Sequence, residues 1–288
     1  MKKLCILAVL AASTQAPVAF AQSASCTEVA SLPATLSQPG QYCLAKDFTV
    51  NSTSIKAITI AADDVTLDCR DHAIRNLAAS NNGTSQGIYA SSQHGVTVRN
   101  CRVLGGFTSG ITFTQSNSVA NKNYYITIEN NYITGAYYHG IRAYGSALEV
   151  RNNRIYDVGG QLNTPAFGIL LGASSVASSF KFHLVHDNAV VGTNSPYSNA
   201  YGVYSENSLA GLFWNNDVTG TTATKQNYRS YGFRILGSVN SIRDNQVVGS
   251  PLANDYGIVA NSTSTDCYDN NIKSPMPTSG CDATLGNY

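Results

Sequence analysis

The sequence predicts an all-β solenoid, because one short strand phrase returns along most of the chain. The phrase is clearest at Ile126–Gly135, where β-branched residues alternate with polar ones, two asparagines follow, and a second short strand ends at glycine. Related phrases begin at Val96, Leu148, His183, Leu212, Ser241 and Asp266. Repeat periods of roughly 20 to 50 residues indicate a solenoid or propeller, and strands this short must stack to share one core. We therefore predict a solenoid of about seven coils.

A second kind of strand, which opens on glycine, precedes most of the asparagine phrases. These strands begin at Gly87, Gly110, Gly140, Gly168, Gly202, Gly232 and Gly257. Three short strands per coil with asparagine at a tight corner resemble the right-handed parallel β-helix repeat, over roughly residues 58–274. Asparagine tolerates the left-handed backbone that such a corner requires. Stacked about 4.8 Å apart, its amide can also hydrogen-bond to the asparagine of the next coil. The resemblance implies a single-stranded right-handed parallel β-helix.

The two ends of the chain differ from this repeat. Residues 1–21 combine Lys2 and Lys3, an apolar run and small residues at Ala19 and Ala21, which is typical of a signal peptide. The apolar run is too short to span a membrane, so we expect export to the periplasm or the medium. Residues 22–57 lack the phrase and are predicted to form an N-terminal cap, and residues 275–288 a C-terminal tail.

Charge and cysteine content restrict the possible functions. The formal net charge is +1, without the basic excess of a nucleic-acid-binding protein. Apart from Cys5 the cysteines are Cys26, Cys43, Cys69, Cys101, Cys267 and Cys281, an even number that predicts disulfides in an exported protein. Proximity favours pairing Cys26 with Cys43 and Cys267 with Cys281, which leaves Cys69 and Cys101 at comparable corners. There is no CxxC spacing, and we expect neither a metal nor another cofactor.

The outward surface of the glycine-opened strands, here called the Gly-led face, is the predicted site. An apolar residue follows each glycine and fixes which side chains point outward. The middle coils then present His139, Arg142, Tyr144, Tyr201, Tyr204, Glu206, Tyr231, Arg234 and Tyr256. Tyrosine can stack on sugar rings, and arginine matches a uronate carboxylate in a bidentate manner. Alternatively, the stacked tyrosines form a ladder that only stabilises neighbouring coils.

A second surface, here called the Trp214 face, is formed by the residues that precede the asparagine pairs. They are Arg99, Glu129, Arg151, His186, Trp214, Arg243 and Tyr268. The alternating charges indicate surface ion pairing, which contributes little to stability. Trp214 makes this face a possible second sugar platform.

The repeat and the predicted groove resemble the secreted β-helix polysaccharide lyases, epimerases and hydrolases. In the lyases and epimerases a base removes the C5 proton of a uronic acid while positive charge stabilises the carboxylate. Tyr204 and Arg234 lie in one column on adjacent coils, about 4.8 Å apart by strand spacing, and a neighbouring cation lowers the pKa of a phenol. We therefore expect Tyr204 to be the base and Arg234 to bind the carboxylate, with His139 and Arg142 as the competing pair. Tyr144, Tyr201, Glu206, Tyr231 and Tyr256 are the expected substrate-binding residues.

The predicted function is β-elimination on an acidic, uronic-acid-containing polysaccharide. One alternative is a glycoside hydrolase centred on Glu206, although hydrolysis requires a second carboxylate nearby. Another is a non-catalytic glycan-binding or surface protein. The Gly-led face lacks the aspartate cluster of the calcium-dependent lyases, which agrees with the expectation of no metal.

Overall fold

The computed structural model describes residues 26–78, 83–115, 125–160, 163–172, 182–252, 254–261 and 264–282. The predicted signal peptide, residues 1–21, lies outside the described residues. Within them the regular structure consists of strands, stacked as parallel sheets of ten, nine and ten strands with one further two-stranded pair. The predicted all-β parallel β-helix is confirmed.

Each coil passes through the three large sheets in the same order. The Gly-led sheet contains Ala34–Leu36, Lys56–Ile60, Gln86–Ser91, Ser109–Thr114, His139–Tyr144, Ala166–Gly172, Ala200–Leu209, Ser230–Ser238, Asp255–Ala260 and Met276–Ser279. The Asn-phrase sheet contains Thr27–Glu28, Gly40–Cys43, Val65–Asp68, Val96–Arg99, Tyr125–Glu129, Ala147–Arg151, Phe182–His186, Leu212–Trp214, Ser241–Arg243 and Asp266–Tyr268. The connecting sheet contains Phe48–Val50, Ala73–Asn76, Arg102–Gly105, Tyr132–Thr134, Arg154–Tyr156, Ala189–Val191, Asp217–Thr219, Gln246–Val248 and Asn271–Lys273. The small pair is Asn194–Ser195 with Thr222–Ala223.

The stack extends further towards the N-terminus than the asparagine phrases indicate. Gly40–Cys43 pairs in parallel with Val65–Asp68, which pairs in turn with Val96–Arg99. The described part of the predicted cap, residues 26–57, therefore supplies strands to all three large sheets. The phrase count misses these coils because their corners carry cysteine or charged residues in place of the asparagine pair.

The two corner residues of each phrase have different structural roles; the first is asparagine or aspartate, and the second is asparagine from Asn131 onward. The first takes the left-handed conformation, with φ of 55° at Asn130 and 54° at Asn152. The second is buried: the backbone N–H and the side-chain amide of Asn131 both donate to Oδ1 of Asn153, each at 3.0 Å. The same pattern continues through Asn188, Asn216, Asn245 and Asn270. The predicted asparagine ladder is present, and it satisfies buried polar groups that would otherwise be costly.

Disulfides continue and close this ladder. Cys69 and Cys101 are joined at the ladder position of the coils before Asn131, and the backbone N–H of Cys101 donates to Oδ1 of Asn131 at 2.9 Å. The other disulfides are Cys26–Cys43 and Cys267–Cys281. All three predicted pairs are confirmed.

The leading glycine determines which side chains reach the Gly-led face. A Cβ on Gly202 would meet the core side chain of Val218 and lie 2.7 Å from the carbonyl oxygen of Gly232. Val203, the next residue, is fully buried. Because both positions face the core, the alternation of the strand is broken at glycine. Tyr201, just before it, therefore lies on the outer side with Tyr204, with ring centroids 4.9 Å apart.

The asparagine ladder should be a major source of stability. Replacing Asn153 by Ala removes the acceptor of two donors on Asn131, and each unsatisfied buried group costs roughly 1–3 kcal/mol. We expect Asn153→Ala to lower the free energy of unfolding by at least about 2 kcal/mol in denaturant titration. Asn152→Gly is the matched control, because glycine accepts the left-handed backbone there, and should cost less than about 1 kcal/mol. Equal losses from both substitutions would contradict this account of the ladder.

Candidate functional site

The column of residues before the glycines forms a continuous stack of rings. The centroid distances are 5.4 Å for His139–Phe167, 4.9 Å for Phe167–Tyr201, 5.1 Å for Tyr201–Tyr231 and 5.3 Å for Tyr231–Tyr256. The parallel register places one ring above the next at strand spacing, which favours this stacking. Tyr201 and Tyr231 are only 6% and 4% exposed, so their ring faces contact neighbouring rings and are not free for a sugar. Their arrangement matches the alternative of a stabilising ladder.

Two partly exposed arginines lie beside this stack. The Arg234 guanidinium lies 5.0 Å from the Tyr231 ring centroid, and its Nη1 donates to the Tyr201 hydroxyl at 3.3 Å. The Arg142 guanidinium lies 5.1 Å from the Tyr144 ring centroid. In the described part of the chain neither arginine has a carboxylate partner, and the buried Nε of each has no hydrogen-bond acceptor. These guanidinium groups are therefore held by aromatic rings with their charge unneutralised.

Arginines on the Trp214 face are in the opposite situation. Arg99 pairs with Asp68 at 2.9 Å, Arg151 with Glu129 at 2.5 Å and Arg243 with Asp244 at 2.9 Å. The predicted surface ion pairing is thus present. The Trp214 ring stacks on His186 with centroids 4.0 Å apart, so one of its two faces is already covered. A sugar has only a limited platform here.

Tyr204 does not have the properties expected of a base. Burial raises its pKa, the nearby Glu206 carboxylate adds to the effect, and the pKa reaches about 12 despite the charge of Arg234. Arg234 does act to lower the pKa of Tyr204, as predicted, but desolvation and the Glu206 carboxylate outweigh this one cation, so the net pKa is raised. At neutral pH Tyr204 is a protonated hydrogen-bonding group.

His139 is similarly unsuited to proton abstraction. It is 2% exposed, and its Nδ1 lies 2.8 Å from the Ser109 hydroxyl. Burial, together with the charge of Arg142, lowers its pKa to about 3. Of the competing pair, only Arg142 is accessible to a ligand.

Glu206 has no second carboxylate beside it on the described Gly-led face. Asp255 is fully buried, and its carboxyl group lies against the backbone of Gly249. Burial raises the pKa of Asp255 to about 7, and the backbone N–H of Ser250 offsets only part of this effect. The carboxylate pair needed by the hydrolase alternative is not formed by these residues.

A Lys–Tyr pair that the repeat pattern does not indicate lies at the N-terminal end of the same face. The Lys56 Nζ lies 3.6 Å from the Tyr89 ring centroid, and the Tyr89 hydroxyl lies 3.3 Å from the Thr114 hydroxyl. Lys56 is in register with Gln86, just before a glycine, but its own strand has alanine there. An alignment that allowed alanine at the glycine position would have placed Lys56 on this face.

A surface groove elsewhere on the molecule holds none of the predicted site residues. It has a volume of about 630 Å³ and follows the corner between the Asn-phrase and connecting sheets, along Asn130, Asn152, Asp187 and Asn215. The described residues contain no group of three or more His, Cys, Asp or Glu side chains placed to hold a metal ion. Within the same ranges, no helix has the length and apolar character needed to cross a membrane.

The comparisons with known proteins agree with this architecture. Residues 47–178 match the family described as "Right handed beta helix region". This match covers slightly less than half of the chain, and the stacked parallel sheets continue the same architecture to the strand Met276–Ser279. The curated proteins contain no sequence that matches it.

Among solved structures, this β-helix protein is similar to the A-module of a mannuronan C-5 epimerase from Azotobacter vinelandii. Identity is 14% with a TM-score of 0.46, over 85% of this chain and 80% of the epimerase module. It is also similar to an alginate lyase from Paenibacillus sp., at 13% identity and a TM-score of 0.36, over 88% of this chain and 97% of the lyase. A third similarity is to the Dettilon tailspike protein, at 14% identity and a TM-score of 0.33, over 90% of this chain and 60% of the tailspike. Identities this low concern the fold alone.

The buried Asp255 should make stability depend on pH. Its pKa is about 7 in the folded protein against 3.8 as the ordinary value, so folding favours the protonated form. Its contribution is therefore complete below about pH 4 and is lost as the pH rises to about 7. We expect Asp255→Asn to melt at a higher temperature than the wild type at about pH 8, with the difference vanishing near pH 4. The same difference at both pH values would show that ionisation of Asp255 is not the cause.

Proposed function

We propose that this protein is a polysaccharide lyase that is exported to the medium or the periplasm. It binds an acidic, uronic-acid-containing polysaccharide along the Gly-led face. The observation that carries the proposal is the difference between the two faces. Arg142 and Arg234 lack carboxylate partners, whereas Arg99, Arg151 and Arg243 on the Trp214 face are paired. A partly buried guanidinium gains most from a bidentate carboxylate, and a uronate supplies one.

Positive charge exceeds negative charge on the Gly-led face although the whole chain is nearly neutral. Lys56, Arg142, Arg229 and Arg234 are its cations in the described residues, against Glu206 as its partly exposed anion. The Arg229 guanidinium lies 5.6 Å from the Tyr256 ring centroid, which extends the pattern of cations held against aromatic rings. An excess of one sign of charge attracts a polyanion.

The spacing of the arginines favours a polymer over a single sugar. Arg142 and Arg234 occupy one column, with Leu170 and Tyr204 between them. Three steps of about 4.8 Å separate their strands by roughly 14 Å. One ligand must therefore span several sugar units to pair with both guanidinium groups.

The side chains available favour elimination over hydrolysis. Hydrolysis requires two close carboxyl groups, and Glu206 has no such partner among the described residues of this face. Elimination requires a base and a cation that stabilises the carboxylate as it gains enolate character, and the face is rich in phenols and arginines. We assign Tyr204, with Tyr144, Tyr256 and Glu206, to substrate binding.

Binding should depend on the unpaired arginines. We expect Arg142→Gln and Arg234→Gln each to weaken binding to a uronate polymer about tenfold, because a charge-assisted hydrogen bond contributes roughly 1.5–3 kcal/mol. Arg243→Gln is the matched control and should leave affinity unchanged, because Arg243 is paired with Asp244. Affinity electrophoresis in alginate, polygalacturonate and glucuronan measures this, and affinity should fall as salt is added. A larger loss from Arg243→Gln than from Arg234→Gln would move the site to the Trp214 face.

The reaction type is tested on the same polymers. Elimination gives an unsaturated product that absorbs ultraviolet light, together with new reducing ends. Reducing ends without absorbance would show a hydrolase, and binding with neither signal would show a non-catalytic glycan-binding protein.

A further inference from the structure

We propose that Tyr89 is the proton acceptor of this elimination, that Lys56 contacts it from the preceding strand and stabilises its negative charge, and that Arg142 binds the reacting carboxylate. The proposal rests on the proposed function and places its chemistry at the N-terminal end of the Gly-led face.

Tyr89 and Lys56 form one unit across two neighbouring strands. The Lys56 Nζ lies 3.6 Å from the Tyr89 ring centroid, which is a close cation–π contact. On the other side, the Tyr89 hydroxyl lies 3.3 Å from the Thr114 hydroxyl of the next strand. The phenol is thus oriented by two neighbours while remaining partly exposed.

The environment of Tyr89 favours its ionised form, in contrast to that of Tyr204. Burial opposes ionisation, but hydrogen bonds with Thr114 and Ser91 and the positive charge of Lys56 outweigh it, so the pKa of Tyr89 lies below 10.0. Lys56 is the charged group that faces Tyr89 from the preceding strand, and the following strand presents the neutral Thr112 and Thr114. No carboxylate of the described residues raises the pKa of Tyr89.

Arg142 is placed to bind the carboxylate of the same sugar unit. Tyr89, Thr112 and Arg142 are in register on three successive strands. Two strand steps separate Tyr89 from Arg142 by roughly 9.6 Å. Thr112 between them is small and fully buried, so the partly exposed Tyr89 and Arg142 are the side chains of these three positions that reach the surface.

The proposed step is balanced without any co-reactant other than water. The Tyr89 phenolate takes the C5 proton of the uronate, and the released electron pair forms a C4–C5 double bond as the C4–O glycosidic bond breaks. The departing oxygen takes a proton from water, and the hydroxide that remains takes the proton from the Tyr89 phenol. Arg142 stabilises the carboxylate throughout, which is an electrostatic contribution to the transition state.

A titration tests the proposed ionisation without any substrate. The protein is labelled with carbon-13 at the ζ carbon of tyrosine, and the Tyr89 resonance is identified by its loss in Tyr89→Phe. We expect this resonance to titrate below pH 10 in the wild type and at higher pH in Lys56→Gln. A Tyr89 pKa at or above 10, or no shift in Lys56→Gln, would overturn the proposal even if the protein is a lyase.

Kinetics tests the role of Tyr89 in turnover. On the polymer that the wild-type protein cleaves, we expect Tyr89→Phe to lower kcat at least about 100-fold, in the range of general base catalysis. Polymer affinity should stay within about twofold, because only a hydroxyl is lost. In Lys56→Gln the acidic limb of the kcat/KM profile should move to higher pH. Tyr132→Phe, on the connecting sheet, is the matched control and should keep full activity.

Different outcomes would contradict the assignment of Tyr89 and the proposed function. If the wild type forms an unsaturated product and Tyr89→Phe does so equally fast, the assignment of Tyr89 is wrong and the proposed function stands. If the wild type forms no unsaturated product from any of the polymers, the proposed elimination is wrong, and the role of Tyr89 as its base is overturned with it.

Discussion

The parallel register between coils is the constraint on which the rest of this structure depends. The asparagine ladder holds it, because each buried amide accepts from two donors of the coil before it. A slip of one residue would leave these donors unsatisfied in the interior, at a cost of roughly 1–3 kcal/mol for each group. The disulfide between Cys69 and Cys101 takes over the same position where asparagine is absent. Because the register is fixed, equivalent residues of successive coils lie directly above one another and form one column of side chains along the surface.

These columns of stacked side chains explain why the Gly-led face and the Trp214 face differ in chemistry. On the Trp214 face, acidic and basic side chains alternate along one column and neutralise each other, as Glu129 and Arg151 do at 2.5 Å. On the Gly-led face the neighbouring column consists of aromatic rings, so Arg234 lies against Tyr231 and donates a hydrogen bond to Tyr201 without pairing with a carboxylate. The stacked rings thus hold cations in place while leaving their charge available. The buried tyrosines of the stack therefore position Arg234 on this face.

Much of the architecture could be predicted from the sequence because it repeats. The ladder, the Gly-led face and the pairing of Cys69 with Cys101 all follow from one position that recurs in successive coils. The N-terminal coils were not predicted because their corners lack asparagine. The position of Lys56 on the Gly-led face was not predicted because its strand has alanine where the neighbouring strands have glycine. These are local departures from the repeat, which a repeat-based argument cannot find.

Ionisation could not be predicted in the same way. Tyr204 and Tyr89 both have a cation on a neighbouring strand, yet the pKa of Tyr204 is raised to about 12 and that of Tyr89 is lowered. The difference comes from burial and from Glu206 beside Tyr204, and neither can be predicted from the aligned repeats of the sequence. His139 is a similar case: the sequence predicts that it lies on the Gly-led face, but not that neighbouring side chains cover it and leave it 2% exposed.

Hydrogen exchange with and without an oligouronate tests the central claim that the unpaired cations of the Gly-led face form the binding site. Bound ligand slows amide exchange in the strands that it covers. The account predicts slower exchange in His139–Tyr144, Ala200–Leu209 and Ser230–Ser238, with no change in Phe182–His186, Leu212–Trp214 and Ser241–Arg243. Slower exchange confined to the strands of the Trp214 face would contradict it.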